Sequence, residues 1–127
     1  MANEQKEKGR DALLGNLEAV RAAKRAVAGT LGPKGMDTLL VDEYGNVLVT
    51  NDGMTILSRM EAPHPAARML ISAAGSQQEK TGDGTTTTAV LTAEIVERAA
   101  EQIQSGVPAV RVAQGILEAR KAAAGYL

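Results

Sequence analysis

The sequence predicts a mainly α-helical fold with one small β-hairpin. Three observations point to it. Apolar residues recur at helical spacing near both ends of the chain, as in Leu13, Leu17, Val20 and Val27 and again in Leu91, Ile95 and Ile103. One stretch alone, residues 38–50, places two short runs rich in Leu and Val on either side of a turn sequence. Proline and glycine then punctuate the chain at Gly32-Pro33, Pro63-His64-Pro65 and Gly106.

In chain order, Met1 to Lys8 is polar and is expected to fray. A helix is expected from about Asp11, with Leu13, Leu17, Val20, Val27 and Leu31 on one face and Ala12, Ala23 and Ala26 beside them. Lys24 falls on that stripe, where a long side chain usually snorkels to solvent; an ion partner is the alternative. Gly32-Pro33 stops the helix, because proline disfavours helical geometry at the residue before it. Thr30 to Gly35 is then a stiff, glycine-flanked loop, read either as a plain stop or as a backbone wall for a phosphate. Thr38 to Val41 and Asn46 to Thr50 read as strands, joined by Asp42-Glu43-Tyr44-Gly45 with positive φ at Gly45 or Asn46. A lone hairpin is marginal, so it needs packing or another chain's strand along its edge. Asn51-Asp52-Gly53 is a tight turn in which Asp52 serves as an Asx turn or caps a short helix, Met54 to Met60. His64, the only histidine, sits between two prolines and reads as a loop residue. Pro65 suits a first helical position. The helix from Ala66 to about Lys80 is expected to turn Met69, Leu70 and Ala73 inward. The next helix carries Leu91, Ile95, Ala99 and Ile103 to Ser105-Gly106, and the last carries Val110, Ala113 and Leu117 along one face.

At 127 residues the chain has the size of one domain. It holds no Phe, Trp or Cys and two Tyr, so its core must be aliphatic and it has neither disulfides nor thiolate chemistry. Fourteen basic residues against 15 acidic ones give a net charge of −1 with no basic patch, which argues against nucleic acid as a partner. The polar N-terminus lacks a secretory apolar segment, and no apolar run approaches the roughly 18 residues of a membrane span. A soluble cytoplasmic protein, not bound to membrane, is the expectation.

The chemically distinctive stretch is Gly82-Asp83-Gly84-Thr85-Thr86-Thr87-Thr88. Consecutive β-branched residues suit a helix interior poorly. They fit a first turn, where backbone N–H groups have no intrahelical acceptor. Those groups, the positive end of the helix dipole and the hydroxyls can receive a phosphate. Asp83 beside an anion calls for a bridging cation, and Mg²⁺ is commonly held by one or two carboxylates with phosphate oxygens and water. A capped helix, with Asp83 or Thr85 as the cap, explains the same residues equally well. No Gly-Lys-Ser/Thr follows, so the P-loop pattern is absent.

Taken together, Leu31-Gly32-Pro33-Lys34-Gly35-Met36-Asp37, Thr50 to Leu57, His64-Pro65-Ala66-Ala67 and Gly82 to Thr87 resemble the chaperonin family in order and spacing. Met36-Asp37, Asn51 and His64-Pro65 are more similar to the group II branch, archaeal thermosomes and the eukaryotic cytosolic chaperonin, than to the bacterial heat-shock type. Some bacteria also carry group II-like copies. The resemblance runs from about Gly9 to the end and corresponds to the N-terminal segment of an equatorial, ATP-binding domain. A family subunit is several times longer, with intermediate, apical and C-terminal equatorial parts.

The resemblance implies that Leu31, Gly32 and Pro33 line the phosphates of ATP. It implies that Asp83 holds Mg²⁺, and that Gly84, Thr85, Thr86 and Thr87 bind phosphate oxygens. Asp52 would lie near the terminal phosphate and position the attacking water or the metal. Residues 39–49 resemble the hairpin that pairs with a neighbouring subunit's terminal strand. Other chaperonin subunits, as a homo-oligomeric ring, and unfolded proteins are the implied partners of the intact subunit. The family's further catalytic aspartate, base-contacting residues and client-binding surface lie outside the matching segment. ATP hydrolysis is therefore implied for the intact subunit. The alternative for this segment is a non-enzymatic, self-associating fragment that binds nucleotide weakly or not at all.

Overall fold

The computed structural model describes residues 1–127, side chains at positions 2 and 3 excepted. The elements run α1 (Ala2–Ala28), β1 (Thr38–Val41), β2 (Val47–Thr50), α2 (Gly53–Arg59), α3 (Pro65–Thr81), α4 (Thr85–Gln104) and α5 (Ala109–Tyr126). The expected fold class is the observed one. The chain divides into two compact units, residues 1–94 and 95–127, with α4 continuing through the division.

In the first unit α1 packs against α2 and α3, and α2 against α3. The core is aliphatic: Leu17, Val20 and Val27 of α1, Ile56 and Leu57 of α2, and Leu70 of α3 are buried together with Ala23, Ala67 and Ala74. Each such Val, Leu or Ile contributes on the order of 1.5–3 kcal/mol on leaving water. The first half of α4 buries Thr85, Ala89 and Ala93, one residue per turn.

Five local expectations are corrected. Helix α1 begins at Ala2 rather than near Asp11. Glu4, Gln5, Lys6, Glu7 and Lys8 are good helix formers, and a helix propagates easily from an anchored end. It ends at Ala28, so Leu31 lies outside the helix and is exposed. The stop precedes Gly32-Pro33 because Thr30 closes the last turn, its N–H and hydroxyl both donating to the Val27 carbonyl. Lys24 pairs with Glu94 of α4. In α3 the inward residues are Ala67, Leu70 and Ala74, while Met69 and Ala73 face solvent. In α4, Leu91 and Ile95 are exposed and the alanines point in. The buried stripe of each helix is thus rotated from the one that residue size suggests.

The hairpin is antiparallel, with Leu39 opposite Val49 and Val41 opposite Val47. These four side chains share one face, and all four are exposed. Gly45 supplies the positive φ of the turn. Asp42 accepts from the N–H groups of Tyr44 and Asn46 and from the Asn46 side chain. The Asn46 amide, followed by its backbone N–H, holds the Asp42 carboxyl below its ordinary value.

The second unit contains the end of α4 and α5. Gly106, at φ +105°, ends α4 in a Schellman turn: the Val107 N–H reaches the Gln102 carbonyl and the Gly106 N–H reaches that of Ile103. Helix α5 buries none of its residues, so the stripe of Val110, Ala113 and Leu117 faces outward. No helix among the described residues is long and apolar enough to cross a membrane.

Candidate functional site

Three turns of the first unit border one cavity of about 300 Å³. The loop after α1 contributes Thr30, Leu31 and Gly32; the turn before α2 contributes Asn51, Asp52 and Gly53. The junction of α3 and α4 contributes Gln78 and the residues from Gly82 to Thr87. Pro33 does not line this cavity. Asn51, Gly53 and Gln78 line it without having been singled out as ligands, while Thr30 and Gly82 belong to the two stretches read as candidate phosphate loops. Asn51, Gly53 and Gly82 belonged to recognisable turns, whereas Gln78 carried no signal beyond lying one helical turn before Gly82.

Each wall has a local cause. The first loop closes on itself through Gly35 N–H to the Gly32 carbonyl and Met36 N–H to the Gly29 carbonyl, both 2.9 Å. Gly32 adopts φ +83°, which permits the reversal. A side chain at Gly35 would meet the Thr30 carbonyl oxygen at 2.2 Å, so this ring forms only around glycine.

In the second turn Asp52 caps α2, its Oδ2 accepting from the Thr55 N–H at 2.8 Å and the Thr55 hydroxyl at 2.5 Å. The Thr55 hydroxyl, then its N–H and that of Met54, hold the Asp52 carboxyl below the ordinary 3.8. It is therefore ionised at neutral pH. Gly53 abuts the first turn of α4: a Cβ there would lie 2.2 Å from Thr86 Oγ1.

In the third wall Gly82 and Gly84 both take positive φ. Asp83 folds Oδ1 back onto the Gly84 N–H at 2.7 Å. The Gly84 carbonyl accepts the first intrahelical bond, from Thr88 N–H at 2.9 Å. The N–H groups of Thr85, Thr86 and Thr87 thus precede the helical ladder. Of these three side chains, Thr85 is buried, Thr86 half-buried and Thr87 exposed.

His64 stands apart from this site. It caps α3, its Nδ1 accepting from the Ala66 N–H at 3.2 Å.

The donor set suits a phosphate accompanied by a cation. Helix-end N–H groups and a glycine-rich backbone favour an anion. Two carboxylates, Asp52 and Asp83, border the same cavity and favour a cation. Among the described residues no three His, Cys, Asp or Glu gather to hold a metal. The protein alone is therefore a poor cage for a bare ion, whereas Mg²⁺ completed by phosphate oxygens and water fits.

Fold and cleft together describe a helical domain whose donor groups at one helix N-terminus suit an anion, and comparisons with known proteins say to which family it belongs. The TCP-1/cpn60 chaperonin family model matches residues 24–127. Thermosome subunit alpha of Archaeoglobus fulgidus is 48% identical over 107 residues, covering 84% of this chain and 20% of that protein. Thermosome subunit 1 of Haloferax volcanii is 44% identical over 119 residues, covering 94% and 21%. A crystal structure of a group III chaperonin in the open state matches with TM-score 0.81 and 50% identity, over 86% of this chain and 22% of that one. The chain belongs to the TCP-1/cpn60 chaperonin family, and its fold matches a chaperonin equatorial domain. It spans about a fifth of the length of these relatives.

Proposed function

We propose that this chain is the N-terminal ATP-binding segment of the equatorial domain of an ATP-dependent protein-folding chaperonin subunit. The observation that carries the reading is the convergence of three separate turns on one cavity, with helix-end N–H groups and two carboxylates at its border. The backbone of Leu31 and Gly32 forms one side of the phosphate site, and Pro33 stiffens the loop behind them. Thr85, Thr86 and Thr87 form the other with N–H groups, Gly84 lines the turn with its own N–H held by Asp83 Oδ1, and Asp83 holds the metal. Mg²⁺ supplies neutralisation of the charge on the phosphates. Asp52, kept ionised by Thr55, orients a water toward the terminal phosphate. Catalysis of this kind is positioning plus charge stabilisation. In the intact subunit the partners are further copies in a ring, meeting the hairpin, and unfolded proteins; the setting is the cytoplasm.

Calorimetric titration of Mg-ATP into the chain tests this, beside Asp83→Asn and Asp52→Asn. Asparagine is chosen because it keeps the acceptor oxygens that Gly84 and Thr55 use. Binding should be lost or much weakened in Asp83→Asn and retained in Asp52→Asn. An absence of binding heat in the parent chain sinks the nucleotide site for this segment.

The exposed apolar face of the hairpin and the absence of buried residues in α5 favour a second reading. On that reading the segment is a non-enzymatic, self-associating module. Sedimentation distinguishes the two: association that Leu39→Lys and Val49→Lys abolish, with no nucleotide binding, selects the second.

A further inference from the structure

We infer that Gln78 is a positioning residue for this site, and that Thr85 serves the ligand through its backbone N–H and not through its hydroxyl. The inference rests on the Mg-ATP reading above. Gln78 lies in the last turn of α3 and lines the cavity. It grips Gly82 twice: its carbonyl accepts the Gly82 N–H at 2.8 Å, and its Nε2 donates to the Gly82 carbonyl at 3.4 Å. Its Oε1 accepts from the Thr85 hydroxyl at 2.6 Å.

These bonds fix one another. A carbonyl oxygen can only accept, so the amide must turn its NH₂ toward Gly82 and its oxygen toward Thr85. A threonine hydroxyl has one proton, and here that proton goes to Gln78. The Thr85 side chain is 5% exposed, the one buried polar side chain among the described residues. It therefore has no proton to donate to a phosphate. Gln77 braces the turn from its other side, donating from Nε2 to the Thr81 hydroxyl at 2.9 Å and to the Asp83 carbonyl at 3.4 Å. The row of hydroxyls thus divides. Thr85 and Gln78 fix the angle at which α4 leaves the turn, and that angle aims the first-turn N–H groups into the cavity.

The test uses Gln78→Met, which keeps length and helix propensity, Thr85→Val, their double variant and Thr85→Ser. Mg-ATP affinity is read by calorimetry, and urea unfolding is read without nucleotide. Each single variant should bind about fivefold more weakly, the size of one net hydrogen bond. The double variant should be no weaker than either single, and Thr85→Ser, which keeps the hydroxyl, should bind more tightly than Thr85→Val. Unfolding losses should be non-additive in the same way.

Gln78→Met binding like the parent overturns the inference and leaves the nucleotide reading standing. A double variant about 25-fold weaker, the product of two independent losses of that size, gives the Thr85 hydroxyl a contact of its own and also overturns it. Additive unfolding losses remove the contact itself. Absence of Mg-ATP binding in the parent overturns both the inference and the reading beneath it.

Discussion

Replacing Gly53 with alanine probes whether α2 and α4 meet as closely as the cavity requires. The added Cβ would sit 2.2 Å from Thr86 Oγ1 and 3.3 Å from both Cβ and N of Thr86. Rotating the threonine side chain moves the oxygen, but its Cβ and backbone stay where they are. Overpacking of this kind costs about 1–3 kcal/mol. For a chain of this size that lowers the melting temperature by roughly 4–12 °C. Adding Thr86→Ala deletes the oxygen and leaves only the 3.3 Å neighbours, which can yield by a few tenths of an ångström. The double variant should recover at least half of the loss, measured against Thr86→Ala alone. Thermal unfolding by circular dichroism of the parent, both singles and the double reads the coupling. A Gly53→Ala chain that melts with the parent, or a Gly53→Ala change that costs as much in the Thr86→Ala background as in the parent, would refute the close approach of α2 to the first turn of α4.

Further expectations concern the loop, the cap and the ion pair. Gly35→Ala, whose Cβ would meet the Thr30 carbonyl oxygen at 2.2 Å, should destabilise more in urea unfolding than Gly32→Ala, which meets nothing and pays only for its positive φ, about 1–2 kcal/mol. The Asp52 carboxyl is depressed in the folded state, so its stabilising effect is complete above the unfolded value near 3.8 and fades as pH falls through the lower folded value. Stability of Asp52→Asn should accordingly change less than that of the parent as pH falls from 5 to 3 (roughly, bracketing the carboxylate range), followed by urea midpoints at each pH. Glu94→Gln should cost about 0.5–1 kcal/mol at low ionic strength, because the pair with Lys24 is part-exposed, with the difference from the parent shrinking in high salt.

The fold was legible wherever a local rule decided the structure. Asp42 to Gly45 encode their turn through an acceptor side chain and one positive φ, and the pairing of Leu39 with Val49 follows. Pro65 and Gly106 mark helix ends for steric reasons that need no tertiary contact. The inward faces were less legible. In α3 and α4 the residues that suggest a core by size, Met69, Leu91 and Ile95, are exposed, and alanines are buried instead. Residue size alone does not say which face of a helix meets its neighbours, and here Ala67 and Ala74 of α3 and Ala89 and Ala93 of α4 lie on the faces that do. Lys24 was ambiguous because Glu94 is distant in sequence.

The candidate site divides in the same way. Its three turns are visible as Gly32, Asp52 and Asp83 in glycine-containing stretches, since positive φ and capping are local demands. That they share one cavity depends on the packing of α1, α2 and α3. Gln78 could not be singled out, because an amide one turn before a glycine has many innocuous explanations. Its role lies in the paired bonds to Gly82 and Thr85.

The claim that three turns form one phosphate site is tested most directly by observing their backbone amides as Mg-ATP is added. In ¹⁵N-labelled chain, the resonances of Gly32, Gly53, Gly84, Thr85, Thr86 and Thr87 should shift together along one binding curve. In Asp83→Asn they should stay near their free positions at the same nucleotide concentration. Shifts confined to other regions, or amides of the three turns that do not respond, would contradict the account.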